Sequence, residues 1–364
     1  MSTRLAIVGA SVRAAAQSAL RAGFEVVGAD LFADADLDGV CPVTKIEGYP
    51  HGLADWLAEQ DVDAWMYTGA LENYPDLVDL MATLKPLWGV SGAALRRCRD
   101  PLVLQEVFAQ SGVAFPETLS PGTPPTDGGV WLAKTYRHAA GVGVWRYGEH
   151  PDNASVYTQR FAEGGSLAAV FALSADAAVL LGVTRQLVES FGYRGSVGPV
   201  PLAATPLAAL RRSGDALRVS LGLRGLVGVD LITADEGLSA IEVNPRYTAS
   251  VEALERATGV SAIAAHAACF AHGPAPSAPP PFERCFGKRI VYAAEPLKVG
   301  EALAAALLEL LRAGRVADAP RAGTAIGAGE PICTIRVEGA SCSEVAEGLD
   351  AFSKDLLDRY VTRD

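Results

Sequence analysis

In the stretch IEVNPR, Ile241 to Arg246, an acid, an amide and an arginine stand at every second position: Glu242, Asn244 and Arg246. Alternate side chains of a strand share one face, so these three polar heads gather together while Ile241, Val243 and Pro245 turn the other way. Upstream, LVGVDLITA and LSAIEVN flank DEG, a three-residue connection with glycine last, which suits a β-hairpin. With Asp235, Glu236 and Gly237 as the loop, Ala234 pairs with Leu238, Ile232 with Ala240, and Asp230 falls opposite Glu242. Cross-strand partners have Cβ atoms only ~5 Å apart, and like charges there are destabilising. Two carboxylates held so closely need a cation between them, or one must bind a proton. Asp230, Glu242 and Asn244 form a hard, all-oxygen set, which suits Mg²⁺ held with substrate phosphates, or Mn²⁺ in its place, rather than zinc. Arg246 follows on the same face, where its planar fork can grip a phosphate oxygen. The bland alternative is an exposed acidic hairpin with Arg246 in a surface ion pair. It explains a lone pair of acids better than it explains this run with its apolar flanks.

The elements that must carry these residues fall into three regions. Residues 4–93 alternate between strand and helix patterns: the strand RLAIVGAS, the alanine-rich helix VRAAAQSALRAG, the strand FEVVGAD ending at Asp30, then LADWLAEQ, DAWMYTG and YPDLVDLMATL. That order predicts a parallel sheet with helices on both faces. Strand, glycine, helix, strand and acid also imitate the start of a dinucleotide fold, with Asp30 at the place of a ribose-binding acid. After Gly9, however, the expected glycines are Ser11 and Ala14. A scaffold or acceptor-substrate platform fits better than an NAD site.

From 96 to 272 the pattern changes to a helix, RDPLVLQEVFAQSG, then several strands. VWLAKTYRHAAGVGVWRY is a strand bearing Lys134, a turn with Gly141 and Gly143, and a second strand; SVYTQRFAEGGSLAAVFAL is strand, kink, strand. The proline-rich stretch from 273 to 282 reads as a stiff linker. Residues 283–364 form a smaller unit of strands and two helices. The expected organisation is therefore 1–95, 96–272, linker and 283–364, in an α/β (α+β) class.

At 364 residues, half of them hydrophobic, the chain has ample material for a core in each unit. Its net charge of −11 argues against a nucleic-acid partner. The six cysteines form no C-x-x-C pair, as expected for thiols in a reducing cytoplasm. Neither a signal peptide nor a run of ~18 apolar residues is seen, so no membrane partner is expected.

GLVGVDLI…LSAIEVNPRYTASVE resembles the metal-binding end of the ATP-grasp superfamily. The resemblance covers most of the chain and implies an N-terminal Rossmann-like pre-ATP-grasp domain, a two-lobed nucleotide clamp and a small β-rich C-terminal unit. GASVRAAAQSA, RDPLVLQ and YRGSVGP are similar to predicted ATP-dependent carboligases of bacteria that use tetrahydromethanopterin and methanofuran. The resemblance makes Asp230, Glu242 and Asn244 the Mg²⁺ ligands and Arg246 a phosphate contact. Lys134 becomes the lysine at the ATP phosphates, and RHAAGVGV, with Gly141 and Gly143, the lid. Gln159, Phe161 and Ala162 match the hinge at the adenine edge, and Glu163 the ribose contact. Arg185, Tyr193, Arg194 and Ser196 are candidates for the substrate carboxylate. One departure stands out: many members carry a second lysine where this chain has Asp100, Pro101 and Leu102, with Arg97 and Arg99 as the nearby cations.

The expected chemistry is amide formation between small-molecule carboxylate and amine substrates through an acyl phosphate, with ADP and phosphate released; the finer expectation is amino-acid addition in biosynthesis of a one-carbon-carrier cofactor of the tetrahydromethanopterin or methanofuran type. No side-chain nucleophile is required, consistent with the lack of a G-x-S-x-G elbow. A bicarbonate-using carboxylase and a non-catalytic or redox dinucleotide-binding protein are the alternatives. A homodimer is the expectation from the resemblance alone.

Overall fold

The computed structural model describes residues 2–137, 141–151, 155–234, 237–271, 276–279 and 282–361. The N-terminal unit has β1 (Arg4–Gly9), α1 (Arg13–Arg21), β2 (Glu25–Asp30), β3 (Val43–Lys45), α2 (Leu53–Ala58), β4 (Ala64–Tyr67), α3 (Pro75–Leu84) and α4 (Gly92–Cys98). Its four strands lie in the order β3-β2-β1-β4 and pair in parallel. Strand β1 is buried on both faces, as a strand covered by helices must be. Leu5 and Ile7 join Ala15, Ala16 and Ala19 of α1 in one core, while Ala6 and Val8 join Leu53, Leu57 and Met81 in the other.

The middle of the chain opens with α5 (Pro101–Ala109), whose first turn is capped by Asp100. Strands β5 (Thr118–Leu119), β6 (Trp131–Thr135), β7 (Val144–Arg146) and β8 (Val156–Arg160) then form a small antiparallel sheet in the order β5-β8-β6-β7. Next come β9 (Gly165–Leu173), β10 (Ala178–Glu189), β11 (Gly192–Gly198), α6 (Ala204–Leu221), β12 (Gly225–Ala234), β13 (Gly237–Asn244), α7 (Ala249–Thr258) and α8 (Ala262–Ala268). Half of the proline-rich stretch, residues 273–275, 280 and 281, lies outside the described residues. Beyond it are β14 (Cys285–Tyr292), β15 (Leu297–Lys298), α9 (Glu301–Arg312), β16 (Val316–Ala317), β17 (Ala325–Ile326), β18 (Pro331–Gly339) and α10 (Cys342–Tyr360). Strands from both sides of that stretch share one eight-stranded sheet, β13-β12-β9-β10-β11-β14-β18-β16. The glycine-rich residues 192–198, outside the elements expected from sequence, supply the strand that joins the two halves.

The β12–β13 hairpin departs from the counted register at its tip. Ala234 pairs with Gly237 and Leu231 with Ala240, so Gly237 lies in the strand; Asp235 and Glu236 are outside the described residues. A bulge between Asp230 and Leu231 then absorbs one residue, and Asp230 pairs with Glu242 after all. All six cysteines are free thiols, and four of them are buried. Among the described residues no helix is long and apolar enough to cross a membrane.

Candidate active site

A cavity of about 390 Å³ lies between the small sheet and the large one. Its floor is the pair of strands β12 and β13. Asp230 and Glu242 face each other across them, with Asn244 and Arg246 beyond. Asp230 accepts from Gln186 Nε2 at 2.9 Å and from Asn244 Nδ2 at 3.0 Å. Burial, followed by the facing charge of Glu242, pushes the Asp230 carboxyl up to about 7; Arg246 and the two amides offset this only in part. A dication would relieve that repulsion, and the donors are the hard oxygens it prefers. Asp230, Glu242 and Asn244 therefore fit a magnesium site.

Arg246 is fixed from two sides. Its Nη2 donates to Asn244 Oδ1 at 3.2 Å, and its Nε donates to Glu72 Oε1 at 2.6 Å. Glu72 comes from the N-terminal unit, in the segment after β4, and is fully buried. Arg99 completes the circuit: one nitrogen lies 3.4 Å from Glu72 Oε1 and another donates to Glu242 Oε1 at 3.1 Å.

The facing jaw is the small sheet. Strand β6 carries Lys134 into the cavity, where only 6% of it is exposed and Nζ donates to Gln159 Oε1 at 2.7 Å. Gln159 in turn donates to Thr118 Oγ1 at 3.2 Å. Burial lowers Lys134 to about 8, despite the carboxylates of Glu242 and Asp230 opposite. Gly141 lines the cavity at φ +84°, and a Cβ there would sit 2.0 Å from the Phe191 carbonyl oxygen, so only glycine fits. Gly143 lies over Thr135. The lid residues His138, Ala139 and Ala140 are outside the described residues. Phe161 and Ala162 line the cavity, and the Phe161 N–H is tied to the Val130 carbonyl at 2.9 Å. Glu163 is exposed and does not line it.

The four residues expected at the substrate carboxylate do not all reach the cavity wall. Tyr193 lines the cavity and its hydroxyl lies 2.8 Å from Ser196 Oγ, which lies 3.2 Å from Ser250 Oγ. Arg194, the extra residue of a bulge in β11, pairs with Glu189, stacks over Tyr292 and is not among the lining residues. Arg185 is exposed and is not among the lining residues. Glu72, Gln186 and Phe191 were not singled out by sequence, and Arg99 only as a cation near the place of the missing lysine. For Glu72 the signal was present: an acid just past the carboxyl end of a parallel strand, where such sheets place ligands. Asp30, by contrast, holds its own turn, accepting from the N–H groups of Val12, Phe32 and Ala33 at 2.7–2.8 Å. Its carboxylate thus occupies the start of α1, and a Cβ on Gly9 would collide with Thr68 Oγ1 at 2.0 Å.

Comparison with known proteins agrees with this geometry. Residues 98–250 match the family model described as an ATP-grasp domain. A 117-residue segment is 30% identical to the large chain of carbamoyl phosphate synthase from Mycobacterium tuberculosis, covering 31% of this chain but only 10% of that one. The structure of N5-carboxyaminoimidazole synthetase from Staphylococcus aureus with ADP superimposes at a TM-score of 0.72, with 14% identity over 96% of this chain and 97% of the other. That of L-amino acid ligase from Bacillus licheniformis gives 0.68, with 15% identity over 98% and 97%. The acid-bearing hairpin, the facing lysine and these matches lead to one conclusion: the chain has the ATP-grasp fold, and its residues 98–250 are similar to the ATP-grasp domain.

Proposed function

We propose that this protein is an ATP-dependent carboxylate–amine ligase, with 1–95 as a platform, 96–272 as the nucleotide clamp and 283–364 as a supporting unit. The observation that carries the reading is the opposition of Asp230 and Glu242, directly across a hairpin, to the buried Lys134 of the other jaw. Leu132, Val144, Phe161, Phe191 and Ile232 give the cavity apolar walls suited to a nucleobase. Asp230, Glu242 and Asn244 would hold magnesium, which when bound neutralises phosphate charge and orients the γ-phosphoryl group. Lys134 and Arg246 bind the phosphate oxygens and spread the charge of the transferring group.

A carboxylate oxygen of the acid attacks the γ-phosphorus, the bond to the β,γ-bridging oxygen breaks, and its electron pair leaves on ADP. The amine nitrogen then attacks the acyl carbon, the C–O bond to phosphate breaks, and the amine proton passes to solvent. The glycine lid excludes water from the acyl phosphate. Tyr193 and Ser196 remain candidates for orienting the acid. The likeness of GASVRAAAQSA, RDPLVLQ and YRGSVGP to carboligases of the tetrahydromethanopterin and methanofuran type supports amino-acid addition to a one-carbon-carrier cofactor, in the cytoplasm and as a homodimer. The same donor set would accept Mn²⁺.

A carboxylase is the second reading, favoured by the end-to-end likeness to a carboxyaminoimidazole synthetase. Dependence on bicarbonate and its carbon in the product would select it. The first test is calorimetric titration with ADP and Mg²⁺. Binding should require Mg²⁺ and weaken about tenfold or more in Glu242→Gln; ADP release is then screened over acids and amines. A native protein that binds no nucleotide sinks both readings.

A further inference from the structure

Resting on the nucleotide reading above, we infer that Arg99 is a catalytic residue that binds the γ-phosphoryl end, rather than a stand-in for a lysine at the α-phosphate. Asp100, Pro101 and Leu102 bring no cation to the opening of α5. Asp100 is committed as a cap, accepting from the N–H groups of Leu102 at 3.0 Å and Val103 at 3.4 Å. Arg97 is exposed on α4. Arg99, just past the end of α4, turns inward instead, and its side chain is only 12% exposed.

Two contacts fix where its charge acts. Arg99 donates to Glu242, the acid set against the phosphates, and it approaches the same oxygen of buried Glu72 that accepts from Arg246. Glu72 thus holds two guanidinium groups at a single carboxylate oxygen. Arg246 reaches the site from the end of β13, and Arg99 reaches it from the N-terminal side. A paired set of planar forks is suited to the several oxygens of a transferring phosphoryl group and an attacking carboxylate. Arg99 also lines a second cavity of about 500 Å³, bounded by Glu72, Asp100, Tyr136 and Arg137. Its partner Glu242 lines the nucleotide cavity, so the guanidinium links the two. That is where an acid entering from the second cavity would meet the γ-phosphorus. Glu72 is the positioning residue of the pair.

The discriminating probes are MgADP and the magnesium complex of β,γ-imido-ATP, which differ by the γ-phosphoryl group. Each is titrated by calorimetry into the native protein, Arg99→Ala, Arg99→Lys and Arg97→Ala. Arg99→Ala should lose about tenfold or more in affinity for β,γ-imido-ATP, the worth of one charge-assisted contact, and less than about twofold for ADP. Arg99→Lys should fall between, and Arg97→Ala should match the native protein with both probes. Retained ADP binding shows at the same time that the variant is folded. Equal losses for both nucleotides would overturn the inference by placing Arg99 at the shared phosphates. Unchanged binding of both would overturn it by making Arg99 structural. A native protein that binds neither overturns the nucleotide reading itself, and this inference with it.

Discussion

Lys134 is where the cost of the site shows most clearly in one side chain. It is buried, it is opposed by the acids only across the cavity, and its pKa falls to about 8. An ammonium depressed below its unfolded value lowers stability at neutral pH, because the unfolded chain holds the proton more readily. Lys134→Met should therefore raise stability at pH 7 by about 1–3 kcal/mol while abolishing nucleotide binding; urea unfolding and calorimetry measure the two effects. A variant that is both weaker in binding and less stable would contradict this account. At this scale the acids were legible because strand period and hairpin pairing place residues without knowledge of the fold. The pairing of Asp230 with Glu242 followed from a count that was wrong at the tip and corrected by the bulge. Nothing in LITADEGLSAI marks that bulge, since its extra residue, Ile241, is an ordinary strand residue.

Elements were legible where apolar periodicity was strong, as in β1, α6 and α10, and illegible where glycine diluted it. Strand β11 holds Gly192, Gly195 and Gly198, and its place is set by pairing with β10 and β14 rather than by its own propensity. With no strand expected there, the bulge at Arg194 that lets Tyr193 meet Ser196 could not be foreseen. The packing of α8 on β12 offers a test of its own. His266, one of the last residues of α8, accepts from the Leu226 N–H at Nδ1, 2.9 Å, so its Nε2 carries the proton and donates to the Trp88 carbonyl at 3.0 Å. Burial lowers this imidazole from 6.5 to about 4. The unfolded chain binds a proton below 6.5 that the folded one refuses until about 4, so stability falls as pH drops through that window. Between pH 7 and 4.5 the native protein should lose about 2–3 kcal/mol more than His266→Gln, as read from urea midpoints. Equal losses would remove His266 from the acid response.

Over the whole molecule, Glu252 ties the units together. It lies on α7 and is nearly inaccessible. Arg13 of α1 reaches it at 2.8 Å, Lys288 of β14 at 2.9 Å, and Arg336 of β18 closes the set. The three cations hold its carboxyl well below the usual range, against the effect of burial. Glu252→Gln would leave buried positive charges without their anion and should cost about 3–5 kcal/mol in urea unfolding. A loss below about 1 kcal/mol would show that Asp36 and Asp318, which also pair with Arg13 at 3.4 and 2.6 Å, can take over. Sequence showed Glu252 only as the last letter of a motif, because its partners lie far away along the chain. The eight-stranded sheet has the same reach. Strand β11 gives one edge to β10 and the other to β14, so the clamp and the residues beyond the proline-rich stretch are halves of one surface. A chain cut at that stretch would bare the β11 edge and strip Glu252 of two of its three cations. The C-terminal unit is thus not an interchangeable module: recombination could replace it only with another unit that brings a matching strand and the same pair of charges.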